Sequence, residues 1–369
     1  MTYSATMSVI YFETYLKPVI LAAGLSTRTR PLTFTRPKGL LPFFESTILE
    51  NTLDALVDIF PEVVIVVGFL HEMIEAKVGT SYKGMKVTYL YIPEVLGTGG
   101  VLSKVRESIE PPFLVLNSDD VYSVSDIQEL AKHERAALLS KTVVQSRTLD
   151  GWRVENGKII SLGSPDERYD FGVATGAYVI SDDYFSLPPV KLEGKEEVGL
   201  PQTLAQGVLR NDYDAVFTKG IWFPVGYPWD LLKAHDVFWA TGKPRKILGK
   251  NVQVDPGADL GDCVVIGDNV VIKSGAKISH AIIFNDTIVG KNSIIEDSII
   301  GANVVIGDDV TIQKEHSLGQ TWKVKIKDRD VDTEETKLGI FTGDHVSIPS
   351  KSVLEGAALI DPPKETMPQ

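Results

Sequence analysis

The chain has 369 residues, 43% of them hydrophobic, and carries a formal charge of -12 at pH 7. That length suits two domains, and the acidic balance excludes a broad positive footprint for nucleic acid, so any bound phosphate must meet a local basic patch. A single cysteine, Cys263, excludes an internal disulfide and suits a reducing compartment, so a cytoplasmic location with no nucleic-acid partner is expected.

Residues 1–17 read as an N-terminal extension, an extra strand or a loose tail, because Glu13 interrupts the apolar residues and no cationic leader is evident. No run reaches the roughly 18 apolar residues of a membrane span, so no membrane partner is expected. From Pro18 onward short apolar runs alternate with helical stretches. Strands are predicted at Pro18–Ala23, Glu62–Val67, Lys86–Ile92 and Phe113–Leu116, and helices at Ile48–Ile59, His71–Val78 and Gly99–Ser108. Runs such as Val63, Val64, Ile65, Val66 and Val67 suit strands buried on both faces. The alternation predicts a mostly parallel, doubly wound α/β sheet over 18–243, with ligands outside the carboxyl ends of its strands. The turn after Leu21 and the segment after Leu116 therefore belong at the site.

From about Ile247 the texture changes to short aliphatic, Gly, Asp and Asn units. Val254, Leu260, Ile266, Ile272, Ile278 and Phe284 lie six apart. Ala258, Val264, Val270, Ala276 and Ile282 follow the first five by four residues, and after a four-residue step the spacing resumes at Ile288, Ile294, Ile300, Ile306 and Ile312. Such a period means stacked coils, each unable to bury its aliphatic face until a neighbour covers it. The paired columns resemble the hexapeptide left-handed β-helix, predicted here over 247–361. Lys314 to Lys337 breaks the pattern and reads as an excursion, and 362–369 as a tail.

The segment from Leu21 through Ala22, Ala23, Gly24, Ser26, Thr27 and Arg28 to Lys38 leaves a buried strand into a glycine- and hydroxyl-rich turn. Gly24 lets the backbone approach a phosphate, free N–H groups supply donors, and Arg28 with Lys38 supply charge. No dinucleotide-binding or P-loop fingerprint is present. Taken alone, the loop also reads as a polar turn with two solvated bases.

The run L-A-A-G-x-S-T-R-x-R-P-L-T-x-x-x-P-K from Leu21 to Lys38 resembles the signature of sugar-phosphate nucleotidylyltransferases, of an archaeal-like type. Ordered matches follow at Val67–Leu70, Glu94–Gly100, Leu116–Asp119, Thr175–Tyr178, and Trp222 with Val225, Gly226, Pro228 and Asp230. With the β-helix, the resemblance covers nearly the whole chain after Lys17. It implies an enzyme in which a sugar 1-phosphate oxygen attacks the α-phosphate of a nucleoside triphosphate, releasing pyrophosphate. Arg28 would meet the β- and γ-phosphates and Lys38 the α-phosphate side. Leu21, Ala22, Ala23, Gly24, Ser26, Thr27, Gly68, Gly97, Thr98, Gly99 and Asn117 would bind the nucleotide. Thr175 and Gly176 would bind the sugar, and Asp119 would hold Mg2+.

Three departures fall on one side of that reaction. Gly163, Ser164 and Pro165 stand where the family carries Glu-Lys-Pro, so its sugar-phosphate lysine is missing; Lys158 or Arg168 are the alternatives offered. Phe171–Ala174 holds no sugar-contacting asparagine. Pro224 stands at the second metal aspartate and cannot ligate a cation; Asp120 is the nearby carboxylate, although adjacent strand residues point to opposite faces. These gaps motivate an alternative, a non-catalytic nucleotide- or nucleotide-sugar-binding homologue that regulates a catalytic partner. Acetyl transfer by the β-helix is not expected, because Lys291 stands where acetylating relatives carry histidine. Self-association is expected, as a homo-oligomer or with a catalytic homologue.

Overall fold

The structure of the chain, a computed structural model, describes residues 16–141, 151–208 and 212–368. Most of the N-terminal extension lies outside the described residues. The first strand, β1 (Lys17–Ala22), leads into a long polar loop that ends at the short strands β2 (Pro42–Phe43) and β3 (Ser46–Thr47). Thr47 and Glu50 form a reciprocal capping box that starts α1 (Ile48–Asp54). Then come β4 (Glu62–Val67), α2 (His71–Val78), β5 (Ser81–Tyr82), β6 (Met85–Tyr91), α3 (Gly97–Arg106) and β7 (Phe113–Asn117). The predicted alternation of strand and helix is present, with ends displaced by one or two residues. The largest change is at α1, whose predicted last five residues form hydrogen-bonded turns instead.

Strands β6, β4, β1 and β7 are parallel neighbours, with Val19 opposite Val64 and Val115. Alternate residues feed two cores, Ile20 and Leu116 one, Val19 and Val115 the other, which is why these strands read as continuous apolar runs. A short hairpin strand, β8 (Asp120–Val121), and α4 (Val124–Leu130) precede β9 (Ala136–Ser140), β10 (Gly151–Glu155), β11 (Lys158–Leu162) and β12 (Asp170–Ile180). After α5 (Leu200–Leu204), β13 (Asp214–Phe217) completes a ten-stranded sheet of order β10-β11-β13-β9-β12-β7-β1-β4-β6-β5. The sheet is mixed: β12 runs antiparallel to both β7 and β9, and β10 pairs with both β11 and β12. Finally β14 (Phe223–Pro224) pairs with β8, and α6 (Pro228–Trp239) leads to the second region.

That region is a β-helix of parallel strands. Val264 pairs with Ala281 and Val271 with Ile288, in each case seventeen residues on. The corners explain the register. Residues with left-handed backbone fall at Asn251, Gly257, Cys263, Asn269 and Gly275, then His280, Asp286 and Asn292, then Asp297, Asn303 and Asp309. The spacing is six within each group and five between groups, so a coil has two six-residue sides and one of five. Asn, Asp and Gly recur because they tolerate that conformation best. Val264, Val270, Ala276, Ile295 and Val304 point into the coils and are wholly buried. The charged segment leaves the coil as a hairpin, Lys323–Ile326 with Arg329–Asp332, and the coil resumes where Phe341 pairs with Ile299.

A third core joins the two regions. Trp229 and Leu232 of α6, Leu32 and Phe43 from the loop after β1, and Ile282, Phe284 and Phe341 of the coils pack in one cluster with Trp322 and Val324 of the excursion. Polar ties flank it: Arg36 to Asp344 at 2.6 Å, Lys233 to Glu335 at 3.0 Å and Asp236 to His280 at 2.9 Å. Among the described residues no helix is long and apolar enough to cross a membrane.

Candidate active site

Three parallel strand ends converge where the sequence placed the site. Leu21 is level with Val66 on one side and Asn117 on the other, and the Ser118 amide donates to the Leu21 carbonyl at 3.2 Å. Beyond Ala22 the chain opens. A side chain at Gly24 would meet nothing within 4 Å, and Gly24 and Leu25 are exposed. Gly68 is different: a Cβ there would lie 2.9 Å from the Ala23 carbonyl oxygen and 2.8 Å from that of Ile92, so this glycine permits close packing beneath the loop.

The loop is held by its own bonds. Ser26 takes left-handed backbone, Thr27–Thr29 forms a 3-10 turn, and the Thr33 hydroxyl donates to the Ser26 carbonyl at 2.8 Å. Arg28 is exposed and its guanidinium lies 5.8 Å from the centre of the Tyr227 ring, which itself stacks on Trp229. At the far end, Thr35 and Arg36 both donate to the Asp344 carboxylate at 2.6 Å, and its other oxygen accepts from the Ala302 amide. The β-helix thus pins the exit of the loop.

Lys38 begins a 3-10 turn and is 7% exposed. Gly39 passes so close to Ser118 and Leu49 that a Cβ would sit 3.1 Å from the Ser118 carbonyl oxygen. This approach lets the Lys38 Nζ donate to the Asp119 carboxylate. Lysine and aspartate, 81 residues apart, meet at the mouth of the sheet.

Asp119 and Asp120 diverge. The Asp119 side chain is one-third exposed and faces Lys38, whereas Asp120 is buried and accepts from Asn117 Nδ2 at 3.1 Å and from the Tyr122 hydroxyl at 3.3 Å. Burial, reinforced by the neighbouring Asp119 charge, pushes the Asp120 carboxyl up to about 8, against the opposing pull of Lys38, Asn117 and Tyr122. Burial likewise raises the Tyr122 phenol well above its ordinary range. Pro224 is buried and stands directly across the β8–β14 ladder from Asp120. The Val225 amide approaches the Asp119 carbonyl at 3.4 Å, so the proline sits beside the aspartate pair. Asp120 therefore does not stand in for a second exposed carboxylate; its oxygens serve Asn117 and Tyr122.

The sugar-side and glycine-rich residues are placed as follows. The Thr175 hydroxyl is buried and donates to the Leu138 carbonyl, and the Thr175 carbonyl accepts from Tyr122; its side chain offers nothing to a ligand. Gly176 has φ +80, and a Cβ there would lie 2.0 Å from Asn117 Nδ2. Asn117, Asp120 and Gly176 thus form one contact. Gly97 and Gly99 face the chain itself: Gly97 has φ +73 and a Cβ would lie 2.5 Å from the Val198 carbonyl oxygen, to which the Gly99 amide donates at 2.9 Å. The Thr98 hydroxyl accepts from the Leu200 amide at 3.1 Å. Internal packing against residues 197–200 accounts for these glycines without a ligand.

Neither cation offered for the missing lysine is free. Lys158 is paired with Asp214 at 2.5 Å and Asp212 at 3.1 Å, and Arg168 chelates Asp166. The residue that sequence reasoning missed is Arg153, whose Nε donates to the Ser164 carbonyl at 3.0 Å, within the Gly163–Pro165 segment. Its signal was pairing, not motif: Arg153 lies opposite Ser161 in the β10–β11 hairpin.

Among the described residues no three His, Cys, Asp or Glu side chains stand where they would together hold a metal ion. Magnesium commonly uses one or two carboxylates together with substrate phosphates. Asp119, half-open at the strand ends beside Lys38, fits that kind of site, in which the substrate completes the shell.

Strand ends, an open glycine loop and a buried lysine beside an aspartate, joined to a β-helix, define an α/β nucleotide-site protein with a β-helical appendage. The pattern of the nucleotidyl transferase family matches residues 17–150, and that of the GMPPB C-terminal domain matches residues 243–365. The bifunctional protein GlmU of Methanococcus vannielii is 30% identical over 244 residues, covering 62% of this chain and 56% of that protein. Mannose-1-phosphate guanyltransferase beta-A of Xenopus laevis is 29% identical over 272 residues, covering 67% of this chain and 73% of that protein. The matches to the bifunctional relatives span about half of those proteins' length. A solved UDP-glucose pyrophosphorylase, complexed with UDP-glucose, shares the fold with a TM-score of 0.53 at 19% identity, over 62% of this chain and all of that one. The chain belongs to the sugar-phosphate nucleotidyltransferase family.

Proposed function

We propose that this chain transfers a nucleotidyl group from a nucleoside triphosphate to a sugar 1-phosphate. A phosphate oxygen of the sugar forms the new bond to the α-phosphorus, the bond to the β-phosphate bridge breaks, and pyrophosphate leaves with the electron pair. The observation that carries this reading is the Lys38–Asp119 pair, buried on one side and set at the strand ends under a loop that is open at Gly24. A lysine held by a carboxylate stays charged and positioned, and it can exchange that carboxylate for a phosphate oxygen. Arg28, exposed beside Tyr227, is assigned to the β- and γ-phosphates. Ala22, Ala23, Gly24, Ser26 and Thr27 frame the nucleotide, and Asn117, steadied by Asp120, borders Gly176 on the sugar side. Arg153 is assigned to the sugar phosphate in place of the absent lysine. Asp119 would hold Mg2+, which when bound neutralises charge on the triphosphate.

A second reading is favoured by one observation, Pro224 across from Asp120: the chain binds a nucleotide or nucleotide sugar and regulates a catalytic homologue. Exposed Leu248, Val254, Val305 and Val353 on the β-helix support an association surface for that role or for a homo-oligomer. One assay separates the readings. Purified chain, Mg2+, a panel of nucleoside triphosphates and hexose 1-phosphates are mixed and pyrophosphate is followed. Release that falls about a thousandfold in Lys38→Ala supports the transferase. Saturable nucleotide binding with no pyrophosphate from any pair, under any divalent metal, replaces it with the regulator.

A further inference from the structure

A cavity of about 250 Å³ lies between the phosphate loop and the β-helix, on the side of the loop away from Lys38's partner Asp119 in sequence and contacts. The loop contributes Thr27, Arg30 and Phe34; the other wall is the excursion hairpin, with Ile326 and Lys327, and the last coil, with Leu359 and Asp361. None of these seven residues belongs to the transfer site except Thr27, which borders both.

Two cations face this space without a counter-charge. Arg30 stacks on the Phe34 ring at 4.3 Å, and its Nε is buried with no hydrogen-bond partner. Lys327 is exposed at the hairpin tip, where left-handed backbone turns the chain. Among the described residues neither makes an ion pair, although most other lysines and arginines of this acidic chain do. An orphaned buried donor is costly, and like charges lining one cavity repel unless an anion lies between them. The single acid on the wall, Asp361, pairs with neither cation; desolvation raises its carboxyl above the usual carboxylate range, opposed by Arg30. Phe34, Ile326 and Leu359 leave part of the wall apolar, so the lining suits an anion with a small apolar body.

From this geometry we infer a second anion site, for a phosphate monoester, at the junction of loop and β-helix and separate from the triphosphate loop. Its charge-assisted partners are the Arg30 guanidinium and the Lys327 ammonium, with the Thr27 hydroxyl as a neutral donor. The inference does not depend on the transfer reaction, because it needs only binding.

The test is calorimetric titration of the full chain with phenyl phosphate and with inorganic phosphate, in the absence of nucleotide. Saturable binding is expected for both, tighter for phenyl phosphate. Charge reversal at the hairpin tip, Lys327→Glu, touches no core residue and should weaken phenyl phosphate by about tenfold or more, equivalent to one lost charged contact. Lys38→Ala should change it less than about twofold. If neither phosphate saturates at millimolar concentration, the inference is wrong. It is equally overturned if Lys38→Ala weakens binding as much as Lys327→Glu does, since the anion then occupies the triphosphate loop.

Discussion

His280 offers a direct test of how the two regions are held together. It sits at a left-handed corner of the β-helix, with Nε2 2.9 Å from Asp236 of α6 and Nδ1 2.6 Å from Asp297 of the next coil. Lys314 completes the cluster, pairing with both Asp297 and Glu296, while the Trp239 ring and the buried His235 lie on the α6 side. Desolvation alone would lower the His280 pKa, but the two carboxylates outweigh it and push the imidazole up to about 9. Against an ordinary value near 6.5, the difference corresponds to a ceiling of roughly 3 kcal/mol for holding the proton in the folded state. Partial exposure and screening reduce this, so about 1–2 kcal/mol is expected near pH 6. Because the folded value is the higher one, the contribution is fully present below pH 6.5 and is lost as pH rises toward and through 9. His280→Asn removes the charge and keeps a hydrogen-bonding side chain. Chemical denaturation of both proteins from pH 6 to pH 10 should give a stability gap that is widest at the acid end and closes near pH 9. The difference cancels background titration of lysines and tyrosines. Parallel curves, with a gap that does not change across this range, would refute the assignment of the proton to His280.

Arg36→Ala should cost about 3 kcal/mol in urea denaturation, because it strips the nearly buried Asp344 of its cation. The same variant should weaken triphosphate binding by loosening the loop exit; unchanged stability would show that Thr35 and the Ala302 amide suffice for Asp344. Gly176→Ala forces a β-carbon onto Asn117 Nδ2 in a left-handed backbone position, so a loss of about 1–3 kcal/mol is expected in thermal unfolding. Pro224→Asp would add a carboxylate facing the Asp120 strand position, and should lower stability in chelator while making the melting temperature rise with Mg2+. If the transfer rate is limited by the proline, this variant also releases pyrophosphate faster than the parent; a Mg2+-independent melting temperature removes Pro224 from the explanation of any low rate. Arg153→Gln should raise KM for the sugar 1-phosphate more than for the triphosphate in an active protein, and an unchanged KM returns that contact to another group.

Much of the architecture was legible because it rests on local periodicity. The apolar runs at β1, β4 and β7 mark strands covered on both faces, and the six-residue columns from Val254 onward require stacked coils whichever neighbours they find. The five-residue side of each coil was less visible, since it shows in the corner residues at Gly275 and His280 more than in the aliphatic columns. The mixed character of the sheet escaped the pattern as well. An antiparallel strand such as β12, buried between β7 and β9, carries the same apolar run as a parallel one.

The site divides along the same line. The order of residues around Gly24, Lys38 and Asp119 determined the class of chemistry to expect, because close backbone approach and concentrated positive charge depend on residue type and spacing within one loop. Which glycines serve packing, which carboxylate faces outward and which cations are already neutralised were decided only by the tertiary structure. Gly97 and Gly99 answer to Val198, Asp120 turns to Asn117, Lys158 is taken by Asp214, and Asp344 reaches Arg36 across 308 residues. Hydrogen bonds and charge pairs act over a few ångströms, and which groups come that close depends on the folded path of the whole chain.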